Sequence, residues 1–221
     1  MGNRFFGSKA TAGLCQPLIA LMPPHSTYIE THLGGGAIMK RKPAALRNIG
    51  IDLNARALSG FDCDYPVELV HGCCHRFLAE FPFDGTELVY SDPPYLHRTR
   101  KSARRYRHDY GDADHEALLR LLRSLPCAVM VSGYPSAFYD ERLVGWRSVS
   151  LQVMNQAGVV TENIWFNFEP DRVHWARYAG RNFTHRQSVK RKAETWGRRY
   201  RAMPAAERLA VLAALLAVEA E

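Results

Sequence analysis

Asp92-Pro93-Pro94-Tyr95 has the residue types and spacing best suited to chemistry. Two consecutive prolines lock the backbone and remove two N–H donors. The Asp92 carboxylate and the Pro93 carbonyl are then fixed acceptors aimed at one point. A planar exocyclic amine carries two N–H donors, so accepting from both orients it and favours a localised nitrogen lone pair. Tyr95 adds a ring on which a base can stack. The competing structural reading is a strand-ending turn with a satisfied aspartate.

A second group lies upstream. Gly34-Gly35-Gly36 follows a short strand candidate and lets backbone approach a ligand without Cβ obstruction. A glycine-rich turn serves plain packing equally well. The pattern is not GxxxxGK[ST], which disfavours a phosphate-cradling loop. Asp52 closes the next strand candidate, where an acid accepts hydrogen bonds from ribose hydroxyls. Together these point to an adenosine-bearing ligand without saying which. Cys73-Cys74, flanked by His71 and His75, lacks the second ligand pair of a zinc site, so no metal is expected.

These residues need elements to position them. Strands are predicted at 27–31, 46–52, 66–71, 87–91 and 127–132, with a pair at 146–154 and 161–168. Helices are predicted after the triple glycine, after Asn54 as a cap, at 73–81 around Phe77 and Leu78, and from Asp112 to Leu125. The last has a leucine stripe and acids in its first turn. Alternating strands and helices imply a parallel sheet covered on both faces, an α/β fold. In such sheets ligands bind at the carboxyl ends of the strands, so the glycines, Asp52, the 71–74 turn and Asp92–Tyr95 should share one rim.

The chain has 221 residues, 47% hydrophobic and 23% charged, which excludes global disorder and collagen-like repeats. Its net charge is +7. Two stretches concentrate the basic residues: Arg98, Arg100, Lys101, Arg104, Arg105 and Arg107, and then the region from Arg177 to Arg201. Patches on a near-neutral body suit a polyanionic partner. Five cysteines without regular spacing do not read as a disulfide framework, and a cytoplasmic setting is expected. The apolar stretches Leu14–Met22 and Leu209–Val218 read neither as a signal peptide nor as a membrane span.

Taken in order, these elements resemble the Dam-like, adenine-specific DNA methyltransferases, over residues 3 to about 170. Phe5-Phe6-Gly7-Ser8-Lys9 resembles the family's N-terminal element. Tyr28-Ile29-Glu30 through Gly36 resembles its cofactor loop, and Asp52 its ribose-binding acid. Asp92–Tyr95 resembles its DPPY catalytic motif, and Trp165-Phe166-Asn167 its late strand. The resemblance implies a Rossmann-like fold, S-adenosyl-L-methionine as methyl donor, and transfer to the N6 amine of a flipped adenine by direct displacement. It assigns Asp92, Pro93 and Tyr95 to catalysis. Phe5, Lys9, Glu30, Gly34, Gly36, Asp52 and Cys73 fall to cofactor binding. Two positions depart from the pattern: Thr31 stands where a proline is usual, and Cys73 where an acid helps hold the cofactor's adenine. A catalytically weakened DNA-binding module, or methylation of RNA or of a protein amide, are the alternatives.

The interval from Gly72 to Asp92 leaves no room for an inserted recognition domain. Base reading is expected from the 98–107 loop (Arg98, Arg100, Lys101, Arg104, Arg105 and Tyr106), with Tyr110 and the lone histidines His97 and His108 as further candidates. A mobile surface loop is the alternative reading. The expected organisation is a catalytic domain over 1–176 and a basic helical extension over 177–221. The 184–201 segment admits two readings, a helix along a DNA backbone or a solvated helix packed through Trp196. A nucleoid-associated monomer or weak dimer is expected, of the compact kind found in phage, mobile elements and restriction–modification systems.

Overall fold

A computed structural model describes residues 14–99, 108–155, 158–169 and 182–218. The chain divides into two compact units, residues 1–174 and 175–221. In the first unit, seven strands form one sheet: β1 Thr27–Glu30, β2 Arg47–Asp52, β3 Glu68–His71, β4 Glu87–Ser91, β5 Ala128–Gly133, β6 Arg147–Asn155 and β7 Gly158–Phe166. Their order is β3-β2-β1-β4-β5-β7-β6. The pairings from β3 across to β5 are parallel, and β7 runs antiparallel to both β5 and β6. This is the expected α/β fold, Rossmann-like in its largely parallel sheet. Strand order reverses between β1 and β4, which opens a crevice at their carboxyl ends.

The central strands are buried on both faces and read as apolar runs. Ile29, Ile49, Ile51, Val89, Val129 and Val131 join one core cluster. Among the described residues of this unit, the helices are α1 Cys15–Ala20, α2 Ala55–Ser59, α3 Cys74–Glu80, α4 Asp112–Ser124 and α5 Ala137–Arg142, with a 3-10 turn at His97–Thr99. The Asn54 side chain caps α2 by accepting from the Arg56 N–H. Helix α4 buries Leu118, Leu119 and Leu122, each contributing about 1.5–3 kcal/mol of burial.

The segment after the triple glycine is not the expected helix. Residues 34–41 form turns held by isolated bonds, such as Lys40 N–H to the Gly36 carbonyl and Lys42 N–H to the Ile38 carbonyl. Pro43 disfavours helical backbone at Lys42. The segment is instead fastened from beneath. Met39 N–H donates to Glu30 Oε2 at 3.0 Å. Lys42, 2% exposed, donates to the Pro43 carbonyl and to Asn48 Oδ1 while its ammonium lies 4.4 Å above the Tyr28 ring.

The second unit contains α6 Phe183–Ala202 and α7 Ala205–Val218. Asn182 caps α6 by accepting from the His185 N–H. Among the described residues no helix is long and apolar enough to cross a membrane.

Candidate active site

Parallel register carries the predicted residues to one rim. Glu30 ends β1 opposite Tyr90 of β4, Asp52 ends β2 opposite His71 of β3, and Ser91 ends β4 opposite Val131 of β5. Asp92 and Ser132 each lie one residue further along that last pair. Ser132 is fully buried, and its Oγ donates to Asp92 Oδ1 at 2.9 Å. The same Oγ lies 2.9 Å from the Tyr90 hydroxyl. Serine has one proton to give, so with Asp92 ionised Tyr90 is the donor and the chain runs Tyr90 to Ser132 to Asp92. Burial, with the Asp92 charge adding to it, holds Tyr90 well above the usual tyrosine range. Tyr90 therefore remains a donor.

Tyr95 is held at both ends. Its hydroxyl donates to Glu162 Oε1 at 3.1 Å, and Glu162 is 5% exposed on β7. Its ring packs on Tyr134, with centroids 4.3 Å apart and planes 36° apart. Antiparallel β7 makes this possible. Gly133 pairs with Asn163, which brings Glu162 beside the chain leaving β5 at Tyr134. Tyr95, Tyr134, Gly133, Leu96, Thr99 and Tyr139 line a recess at this point.

On the other side of the crevice, Asp52 organises the glycine loop. Its Oδ2 accepts from Gly34 N–H at 2.7 Å and its Oδ1 from Asn54 N–H at 2.7 Å. A carboxylate has about four acceptor sites, so two bonds leave it able to accept more. Gly34 and Gly36 have φ of +50° and +61°, backbone that residues with a Cβ rarely adopt. A Cβ on Gly34 would meet nothing within 4 Å, whereas one on Gly36 would lie 2.2 Å from the Phe61 ring. The loop thus presents open backbone at Gly34, as a closely approached ligand requires.

Glu30 is 3% exposed, and its Oε2 accepts from the Tyr28 hydroxyl and from Met39 N–H. Burial, partly offset by the Tyr28 hydrogen bond and reinforced by the Asp92 charge, pushes it up to about 8. Two carboxyl groups from β1 and the end of β4 therefore influence each other across the crevice. A cation there would favour ionisation of both.

Other expectations fare differently. Cys73 is exposed at the α3 N-cap position and its side chain makes no capping bond. Tyr110 is not available for stacking on a base. It is 8% exposed, and its hydroxyl sits 3.2 Å from both His32 Nε2 and His75 Nε2 and 3.6 Å from Cys74 Sγ. Burial, with neighbouring His75 and His115, pushes His32 down to about 3 and keeps it neutral. This cluster ties the turns after β1 and β3 to the start of α4. Arg98 is ion-paired with Asp112 at 2.8 Å and lies over the Phe138 ring. His97 faces Asp109 at 3.6 Å, and His108 is exposed. Phe5, Lys9, Arg100, Lys101, Arg104, Arg105 and Tyr106 lie outside the described residues. Among the described residues, no group of three His, Cys, Asp or Glu side chains is placed to hold a metal ion.

Sequence reasoning missed Ser132, Glu162 and Tyr134. Ser132 and Glu162 are buried polar residues in apolar strands, which always need a partner, and that is the one signal that could have raised them.

No protein-family model matches the chain, and no curated protein matches its sequence. Solved structures similar to it include a SAM-dependent methyltransferase from Agrobacterium tumefaciens, with 12% identity and a TM-score of 0.45 over 70% of this chain and 60% of that one. An rRNA methylase from Streptococcus thermophilus has 15% identity and a TM-score of 0.45, over 75% of this chain and 97% of that one. The N-methyltransferase NodS from Bradyrhizobium japonicum has 13% identity and a TM-score of 0.47, over 70% and 93% respectively.

Proposed function

We propose that this chain methylates the exocyclic N6 amine of adenine in DNA, with S-adenosyl-L-methionine as donor. The observation that carries the reading is the Asp92 carboxylate, held by buried Ser132 at the β1/β4 crevice beside a fixed Tyr95. Asp92 and the Pro93 carbonyl would accept the two amine protons and leave the nitrogen lone pair directed outwards. Tyr95, backed by Tyr134, would stack on the base once it has left the duplex. Alignment and electrostatic placement would supply most of the rate.

The residues present fit the donor. Asp52 has acceptor capacity for ribose hydroxyls, Gly34 offers unobstructed backbone, and a cationic group beside Glu30 would favour ionisation of its buried carboxyl. Phe5, Gly36, Lys9 and Cys73 complete the set implied by the resemblance. When bound, S-adenosyl-L-methionine supplies an electrophilic methyl carbon. Asp92, which would already accept from the amine, would be placed to take the proton that must then leave.

Transfer of labelled methyl groups to unmethylated DNA, with RNA and protein added as competitors, tests the reading. Label in DNA is expected. Label in RNA or protein alone would replace the substrate. A second reading is a weakened, DNA-binding chain, and one observation favours it. Cys73 offers an exposed thiol where an acceptor is wanted, and a thiol is a poor acceptor. Calorimetry with the donor separates the two, since the enzyme binds it and the module does not.

A further inference from the structure

The proposed chemistry uses none of the second unit. Helix α6 has 20 residues and so a length of about 30 Å. It carries seven arginines and lysines (Arg186, Lys190, Arg191, Lys192, Arg198, Arg199 and Arg201) against one acid, Glu194. The contrast with the first unit is informative. There, several arginines pair with acids: Arg47 with Glu68, Arg98 with Asp112, half-buried Arg142 with Glu116 and Arg147 with Glu169, while exposed Arg123 turns to the Arg142 carbonyl. On α6, among the described residues, only Lys190 has an acidic partner, Glu194 at 3.8 Å. Arg191 and Arg198 turn to the Gln187 carbonyl and the Thr195 hydroxyl of their own helix, and Arg199 lies over the Trp196 ring. Lys190, Arg191, Lys192, Arg198, Arg199 and Arg201 are all exposed.

We propose that α6 is a docking surface for the phosphate backbone of duplex DNA. The inference rests on DNA being the substrate, and charge complementarity selects this occupant. A duplex carries one negative charge per about 1.7 Å of axis, so a helix of this length can span many phosphates. At 100° per residue, the cations cover most of the helix circumference outside a narrow stripe formed by Val189, Ala193, Trp196 and Tyr200. An interfacial membrane helix would segregate them opposite a broad apolar face. Part of the stripe is already engaged, because the Tyr200 hydroxyl donates to the Arg208 carbonyl at 3.1 Å. Trp196, 62% exposed, remains on the surface beside the cations.

The test is equilibrium binding of the full chain to a labelled 20-base-pair duplex from 50 to 300 mM salt, without methyl donor. The triple variant Arg191→Gln/Arg198→Gln/Arg201→Gln, three exposed cations on one face of the helix, should flatten the log–log salt dependence by about 0.9 per lost contact. That weakens binding about 10²- to 10³-fold near 0.1 M salt. Circular dichroism confirms that the helix is retained. The exchange Arg191→Lys/Arg198→Lys/Arg201→Lys should keep the wild-type slope. An unchanged slope in the Gln variant overturns the proposal. So does equal loss in the charge-conserving exchange, or α6-dependent binding to phosphatidylserine vesicles without such binding to DNA. Because no methyl transfer is read, the proposal survives an inactive wild-type protein that still shows the slope change. Conversely, an active enzyme with an unchanged slope refutes α6 docking alone.

Discussion

Replacing Ser132 by alanine isolates the support of Asp92 from Asp92 itself. The substitution removes the 2.9 Å donor to Asp92 Oδ1 and strands the Tyr90 hydroxyl, which loses its 2.9 Å partner in the core. A hydrogen bond to a charged group is worth about 1.5–3 kcal/mol, and 1.4 kcal/mol is a factor of ten. If that bond fixes Asp92 for the transition state, kcat should fall about 10- to 100-fold. Asp52 and Gly34, proposed to hold the methyl donor, lie across the crevice from Ser132, so the KM for that donor should change little. Removing a donor to a carboxylate disfavours the ionised form, so the acid limb of the rate–pH profile should move to higher pH. The orphaned Tyr90 hydroxyl should cost about 1–3 kcal/mol of stability. Tyr90→Phe leaves the Ser132–Asp92 bond intact and should lose less than tenfold in kcat. Steady-state kinetics with tritiated methyl donor and duplex DNA, with urea unfolding on the same samples, read all of this. A Ser132→Ala enzyme with wild-type kcat and an unmoved acid limb would refute the positioning role.

Three further outcomes follow from the site. Glu30 is raised from 4.5 in the unfolded chain to about 8 in the fold, so the folded state holds its proton more tightly. Its stability contribution is complete below about 4.5 and is lost as pH rises through about 8. Glu30→Gln keeps an acceptor for Tyr28 and Met39, so its Tm advantage over wild type should grow between pH 5 and pH 9; a constant difference would contradict the assignment. Asp52→Ala removes the acceptor for the Gly34 and Asn54 N–H groups and should weaken donor binding at least tenfold by calorimetry. Gly36→Ala places a Cβ at φ +61°, 2.2 Å from the Phe61 ring, and should cost about 1–3 kcal/mol in urea unfolding together with weaker donor binding.

Local signals were readable wherever one segment decides the outcome. β4 ends at Ser91 because Pro93 and Pro94 cannot continue a ladder, and α2 starts where Asn54 caps it. The common rim followed from strand–helix alternation alone. The Ser132–Asp92 and Tyr95–Glu162 bonds join residues 40 and 67 positions apart, and no local pattern reports such pairs. The turns at 34–41 replace a helix where Asp52 and buried Glu30 accept from the Gly34 and Met39 N–H groups and Pro43 follows, a tertiary effect that overrides the helical tendency of Ala37 to Lys42. Helix α5, Ala137–Arg142, has six residues, too few to show a period. Tyr110 read as an exposed aromatic because its histidine partners lie on β1's following turn and on α3.

The most direct test incubates unmethylated DNA with isotopically labelled S-adenosyl-L-methionine and either wild-type protein or Asp92→Ala, then digests the DNA to nucleosides for mass spectrometry. The expected result is label in N6-methyldeoxyadenosine with wild type and none with Asp92→Ala, while both proteins melt cooperatively and bind the donor. Label on cytosine, or equal labelling by the two proteins, would contradict the claim that Asp92 grips the adenine amine.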